Sequence, residues 1–404
     1  MLHQILGGAF ILLWIGFALA IVLLLLISRR DLALGMGVAT LALALFTHSF
    51  DSFGVAMWAT LSDPAVLLLA VVVGIIPLIG GVLEASGEMD RLVANLRMGI
   101  RPFLAFGPGL LGMLPMPGGA LLSAPLVERG AGHAPADVKA AANVWFRHVL
   151  LLVYPLGPAL IASAKMADLE VYSVIPYLIP AFAISLVLGY LFLLRRVRGK
   201  LAQPGAFSLM GLLVPLLIIL IAPILDLVLK RSIDLPFTEI GTVVGVLVSL
   251  CMGVAIGKIR LPQFGRIARK AKPWKYVLII LAMFAFLNVF TTSGVPERIG
   301  AMSLPPIVLC VVIGALLGLI TGRIQAPMSI IVPIYVTTYG AMSAPAFAVT
   351  YFAVFLGYIL TPIHPCISVS LEYFGTSLAA FIRRLAIPTV AALLMTFLVS
   401  LVIF

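Results

Sequence analysis

The chain has 404 residues, 63% hydrophobic and 10% charged, with a formal net charge of +11 and a mean hydropathy of +1.22. A soluble domain carries about 25% charged residues, so this composition excludes one and describes a polytopic membrane protein. The basic excess belongs to loops on one membrane face, which removes nucleic acid as a partner and leaves membrane lipid.

Apolar runs of roughly 18 residues or more predict transmembrane helices at about 5–27, 32–49, 65–85, 138–165, 172–194, 209–229, 237–257, 276–293, 345–370 and 378–403. The first run is too long for a signal-peptide core and reads as a retained helix. Two more apolar stretches, about 103–128 and 304–336, carry Gly and Pro in mid-run. Each proline deletes a backbone donor and each glycine loosens the turn, so both stretches are predicted to be re-entrant hairpins. The runs at 138–165 and 345–370 are broken in turn, at Tyr154-Pro155-Leu156-Gly157-Pro158 and Thr361-Pro362-Ile363-His364-Pro365. Inside a bilayer such backbone survives only where protein or a wet cavity satisfies its freed N–H and C=O groups.

Threading the chain through these spans puts Lys165, Lys230, Arg231 and Arg298 on one side and Arg147 and Arg323 in the membrane; the rest of the 26 Lys and Arg fall on the other side. The positive-inside rule then places both termini outside the cell. The first hairpin opens from the cytoplasm and the second from the outside. Cys251, Cys310 and Cys366 have no paired or CxxC spacing and read as packing residues.

Self-similarity organises the chain. Ala85-Ser86-Gly87 recurs as Thr292-Ser293-Gly294, Leu110-Leu111-Gly112 as Leu316-Leu317-Gly318, Ala124-Pro125 as Val332-Pro333, and Pro155 with Pro158 as Pro362 with Pro365. Five spans separate equivalent points, an odd number, so the second copy is inverted relative to the first. The expected fold is all-α, with two inverted repeats, 1–200 and 201–404, each of five transmembrane helices plus one re-entrant hairpin. In this plan binding sits at the midplane, between broken elements of the two halves.

A helix break leaves amides unpaired at one half-helix and carbonyls at the other, so one end attracts anions and the other cations. Substrate-binding candidates are therefore Pro117, Gly118, Gly119 and Ser123 in the first hairpin, and Thr321, Gly322, Arg323, Gln325 and Ser329 in the second. Backbone near Gly118, Tyr154, Gly322 and Thr361 is expected to hold Na⁺ if Na⁺, and not H⁺, is the coupling ion; no other cofactor is expected. Arg323 is the most informative residue, because a membrane-buried charge needs a partner or a wet cavity. An anion is one partner; hairpin carbonyls or a distant acid are the alternatives. Asn143, Arg147 and Tyr154 share a helix face beside His148. Asn143 is a binding candidate, Arg147 is expected to snorkel to the cytoplasmic interface, and His148 to be a packed, hydrogen-bonded residue. His364, inside the second break where Gly157 stands in the first half, either meets substrate, titrates or caps carbonyls. HExxH, GxSxG and P-loop motifs are absent from the sequence, and the chain reads as a non-enzyme.

The phrases LLGMLPMPGGALLSAPLVE, TGRIQAPMSIIVP and YILTPIHPCISVSLEYFG resemble an uncharacterised family of prokaryotic integral-membrane proteins. That family is placed in the ion transporter superfamily, beside sodium–dicarboxylate symporters, gluconate and lactate permeases, and arsenite and sodium–proton carriers. The resemblance implies an elevator-type or related secondary carrier of the prokaryotic inner membrane, often dimeric, holding substrate and cation at hairpin tips and helix breaks. The dicarboxylate symporters place Ser-Asn-Thr triplets at those tips; Pro-Gly-Gly and Gly-Arg-Ile-Gln stand here instead. The expected function is transport of a small organic anion coupled to Na⁺ or H⁺. The alternative is a cation/proton antiporter with His364 as proton carrier, and an intramembrane enzyme comes third.

Overall fold

The computed structural model describes residues 2–113, 119–131, 134–198, 206–302 and 304–404, and every regular element among them is helical. The first half runs α1 (Leu2–Ile27), α2 (Leu32–Thr47), α3 (Phe50–Leu61), α4 (Pro64–Ala85), α5 (Glu88–Ala94), α6 (Ile100–Gly112), α7 (Gly119–Ala131), α8 (Ala136–Val149), α9 (Pro158–Met166) and α10 (Val171–Gly189). The second half runs α11 (Leu209–Ser232), α12 (Glu239–Ile256), α13 (Leu261–Ala271), α14 (Pro273–Thr292), α15 (Val295–Gly300), α16 (Gly314–Thr321), α17 (Gln325–Tyr339), α18 (Ala344–Leu360), α19 (Pro365–Phe374) and α20 (Leu378–Ile403). One π-helical stretch, Tyr190–Leu194, extends α10, and another, Val308–Ile313, leads into α16.

The two halves therefore carry the same element order, and their packing is reciprocal. Where α4 packs on α12, α14 packs on α2; α3 on α14 is matched by α13 on α4, and α5 on α11 by α15 on α1. Likewise α7 meets α19 as α17 meets α9, and α10 meets α18 as α20 meets α8. This is the contact pattern of a two-fold exchange between halves. Local chemistry repeats with it: the Ser-Gly pair closes α4 and α14 alike, with Gly87 at φ +74° and Gly294 at φ +77°, a left-handed turn that glycine adopts without steric cost.

Packing also sorts the helices into two bodies, each drawn from both halves. Helices α1–α5 pack with α11–α15, and α6–α10 with α16–α20; the bodies meet mainly where α14 and α15 press on α17 and where α14 touches α9.

Seven stretches among the described residues are long and apolar enough to cross a membrane: Pro64–Ala85, Val171–Leu194, Leu209–Ser232, Glu239–Ile256, Pro273–Thr292, Ala344–Phe374 and Leu378–Ile403. Ten were expected. Helix α2 has only 16 residues and the 138–165 run is split by its break, whereas α1, at 26 residues, has the length expected of a span. The sequence reading also missed α3, α5, α13 and α15, because helices of 12, 7, 11 and 6 residues lie below the length that identifies a span.

Each apolar stretch expected as a hairpin is a pair of short helices. Helices α6 and α7, 13 residues each, pack on one another; at 1.5 Å per residue each is only about 20 Å long. In the second stretch α16 and α17 are packed partners joined across Gly322, Arg323 and Ile324.

Candidate functional site

Three helices begin at one place. Helix α9 starts at Pro158 after Gly157, α17 at Gln325 after Ile324, and α19 at Pro365 after His364, and none of the three N-termini has a side-chain cap. All three line one cavity of about 280 Å³. Both broken spans and the tip of the second hairpin stretch thus converge, and each helix presents unpaired amides and the positive end of its dipole.

The Arg323 side chain enters the same cavity, half-buried. Its Nε donates to the Ser28 carbonyl at 3.3 Å, so its partner is a carbonyl just past the end of α1 in the other packing body, not one of its own hairpin. The tip is shaped by Gly322, at φ +63°, and by Thr321, whose hydroxyl donates to the Leu317 carbonyl (2.7 Å) and receives the Arg323 amide (3.3 Å). Gln325 lies at the cavity wall; Ser329 is buried and spends its hydroxyl on the Ala326 carbonyl at 2.8 Å.

His364 is 4% exposed and bonds the Tyr358 hydroxyl through Nε2 at 2.6 Å, while its Nδ1 is buried without a partner. It therefore engages a tyrosine and not the freed carbonyls. The His148 ring sits 4.8 Å from the His364 ring. His148 Nδ1 meets the Val144 carbonyl at 2.6 Å, which makes Nδ1 the protonated nitrogen, since a carbonyl only accepts. His148 is thus packed and hydrogen-bonded as expected.

Arg147 does not snorkel. It is 5% exposed, and its Nη1 lies 3.5 Å from Ser123 Oγ. The helix direction turns it into the protein, against α7 and α19, instead of back toward the basic loop. Asn143 belongs to this adjoining polar layer: its Nδ2 donates to Ser370 Oγ (2.9 Å) and the Ala120 carbonyl (3.3 Å), and its Oδ1 is buried without a partner. Ser123 donates to the same Ala120 carbonyl at 3.3 Å.

Of the expected residues, Gly322, Arg323, Gln325 and His364 line the cavity. Ser123 and Asn143 form the layer beside it, and Gly119 opens α7. Pro117 and Gly118 lie outside the described residues. Of the backbone positions expected near a cation, Tyr154 is buried with its hydroxyl 3.5 Å from the Ile219 carbonyl, and Thr361 is buried at the end of α18. Sequence reasoning missed the aromatic wall of Tyr276, Tyr351, Phe355 and Tyr358 and the part played by Cys366. Aromatic residues on apolar helices carry no periodic signal that separates a cavity wall from core. Ligand atoms of His148, His364 and Cys366 lie within 4.8 Å of one another, a spacing that a soft metal could draw together. The guanidiniums of Arg147 and Arg323 and three helix N-termini surround them, however, and that field favours an anion.

The family described as "Protein of unknown function (DUF401)" matches residues 10–403, and the chain belongs to it. No curated protein matches the chain. Among solved structures, the crystal structure of the Alcanivorax borkumensis YdaH transporter is similar at a TM-score of 0.58 and 16% sequence identity, over 85% of this chain and 86% of that one. At that identity the likeness is one of fold.

Proposed function

We propose that this DUF401 protein is a secondary active transporter that moves a small organic anion, coupled to Na⁺ or H⁺. The convergence of three uncapped helix N-termini and Arg323 on one cavity carries the reading: fixed amides and a guanidinium compensate negative charge without reorganisation. Tyr276, Tyr351, Phe355, Tyr358 and Leu151 make the rest of the wall apolar, which favours an anion with an apolar body over an inorganic one. The two packing bodies, each built from both halves, supply the parts for alternating access. In this reading the halves are inverted across the membrane, each pair of short helices is a re-entrant hairpin, and both termini lie outside, as the placement of Lys and Arg suggests. The relationship to the ion transporter superfamily belongs to the same proposal.

Arg323 bridges the bodies through the Ser28 carbonyl while facing the cavity. An arriving carboxylate competes with that neutral carbonyl for the guanidinium and wins, because charged acceptors bind about twice as strongly. Binding would then loosen one tie between the bodies. The second reading, a proton antiporter, draws on the buried His148–His364–Tyr358 contact, which also makes H⁺ a coupling ion for the first.

A thermal-stability screen of organic acids, with and without Na⁺, tests the site: a ligand at 100 times its dissociation constant stabilises the folded state by about 2.7 kcal/mol. Stabilisation by carboxylates with aromatic or branched apolar bodies, reduced in Arg323→Gln, is expected. Stabilisation by Na⁺ or by falling pH alone, with no anion effect, favours the antiporter.

A further inference from the structure

A separate concavity of about 610 Å³ opens at the far end of α10, where the π-helical turn gives way to Arg195, Arg196 and Arg198. Arg384 of α20 and Pro135, the N-cap residue of α8, complete its wall, and α8 has no side-chain cap. Arg384 is held by Asp137 at 2.5 Å. Arg195, Arg196 and Arg198 are exposed, and among the described residues no carboxylate pairs with them. Leu191 and Phe192, each 44% exposed, line the same concavity on the span side.

The arginine segment is not a loose tail. Arg101 of α6 reaches across to it, donating Nε to the Val197 carbonyl at 3.1 Å and Nη1 to the Tyr190 hydroxyl at 3.2 Å. Val197 itself is buried. The backbone between Arg196 and Arg198 is therefore pinned, so ligand binding orders only the arginine side chains and not the segment that carries them.

We propose that this concavity binds the phosphate headgroup of one anionic phospholipid, with its acyl chains against Leu191 and Phe192. Guanidinium forks match phosphate oxygens, a helix N-terminus supplies further positive potential, and basic pockets at the end of transmembrane helices suit anionic headgroups. A free phosphate shares the headgroup chemistry but would leave the apolar strip unused.

Native mass spectrometry of the full chain in mild detergent tests this, with phosphatidylglycerol as probe and phosphatidylcholine and inorganic phosphate as competitors. The wild type should retain one phosphatidylglycerol in preference to phosphatidylcholine, and the Arg195→Gln/Arg196→Gln/Arg198→Gln variant should lose that retention by about tenfold or more. Arg260→Gln/Arg266→Gln/Arg269→Gln, which removes the same charge from α13 and its N-cap, should keep it. If the triple variant does not fold, Arg198→Gln alone should show a smaller loss in the same direction. Unchanged retention in the arginine variants, equal loss in the α13 control, or displacement of the lipid by inorganic phosphate would each overturn the proposal.

Discussion

Gly318→Ala perturbs a tight helix crossing, that of α16 on α18. In α16 a Cβ at Gly318 would fall on the Val354 carbonyl of α18 and stand 3.1 Å from the Tyr358 amide. The crossing is tight from both sides, since a Cβ at Gly357 would fall on the Ala315 carbonyl. Small residues let helix backbones touch in this way where lipid supplies no hydrophobic drive between helices. An added methyl pushes α18 away, at an overpacking cost of about 1–3 kcal/mol. Alanine's better helix propensity returns only about 0.5–1 kcal/mol. Gly37→Ala isolates that second effect, because Gly37 lies in α2 with no atom within 4 Å of a Cβ. Thermal unfolding in detergent should therefore show Gly37→Ala at or above the wild type and Gly318→Ala below it. Transport should fall in Gly318→Ala as well, since the displaced segment carries Tyr358, the partner of His364. Equal melting of the two variants would refute the packing argument.

Tyr358→Phe removes the hydroxyl on His364 and leaves a second buried ring nitrogen unpaired, at about 1–3 kcal/mol in an unfolding assay; Tyr351→Phe, whose hydroxyl does not serve His364, should cost less. In the loop between α1 and α2, the Leu34 amide, aided by Lys275 and opposed by burial, holds the Asp31 carboxyl below its usual value. A depressed folded-state value stabilises the protein above the ordinary carboxylate range and loses that contribution as pH falls through the depressed value. Melting should accordingly drop in acid less steeply for Asp31→Asn, while Asp31→Ala loses the α2 cap at about 1 kcal/mol. In a Cys251→Ser/Cys310→Ser background, a small charged thiol reagent should modify Cys366 from the cavity, and a transported anion should slow the reaction; mass spectrometry reads both rates.

Much of the fold could be read from the chain because a bilayer leaves few options. Apolar length marks spans, and paired prolines in mid-run mark breaks, so Tyr154–Pro158 and Thr361–Pro365 stand where α9 and α19 begin. The pairing of Gly157 with His364 as equivalent N-cap positions followed from the repeat. Arg323 stood out through charge alone. What escaped was tertiary: that Arg323 reaches Ser28 in the other body, that Arg147 turns inward toward Ser123, and that Tyr276 crosses from α14 to the cavity. Each depends on how two bodies assembled from both halves face one another, which no local period encodes.

Transport by this protein turns on Arg323 meeting an anion. Uptake of an organic acid that stabilises the protein, measured in proteoliposomes under an imposed Na⁺ or H⁺ gradient, compares the wild type with Arg323→Gln most directly. Gradient-driven uptake by the wild type, lost in the variant while its melting and elution stay native, is the predicted result. Unchanged uptake in Arg323→Gln would contradict the account.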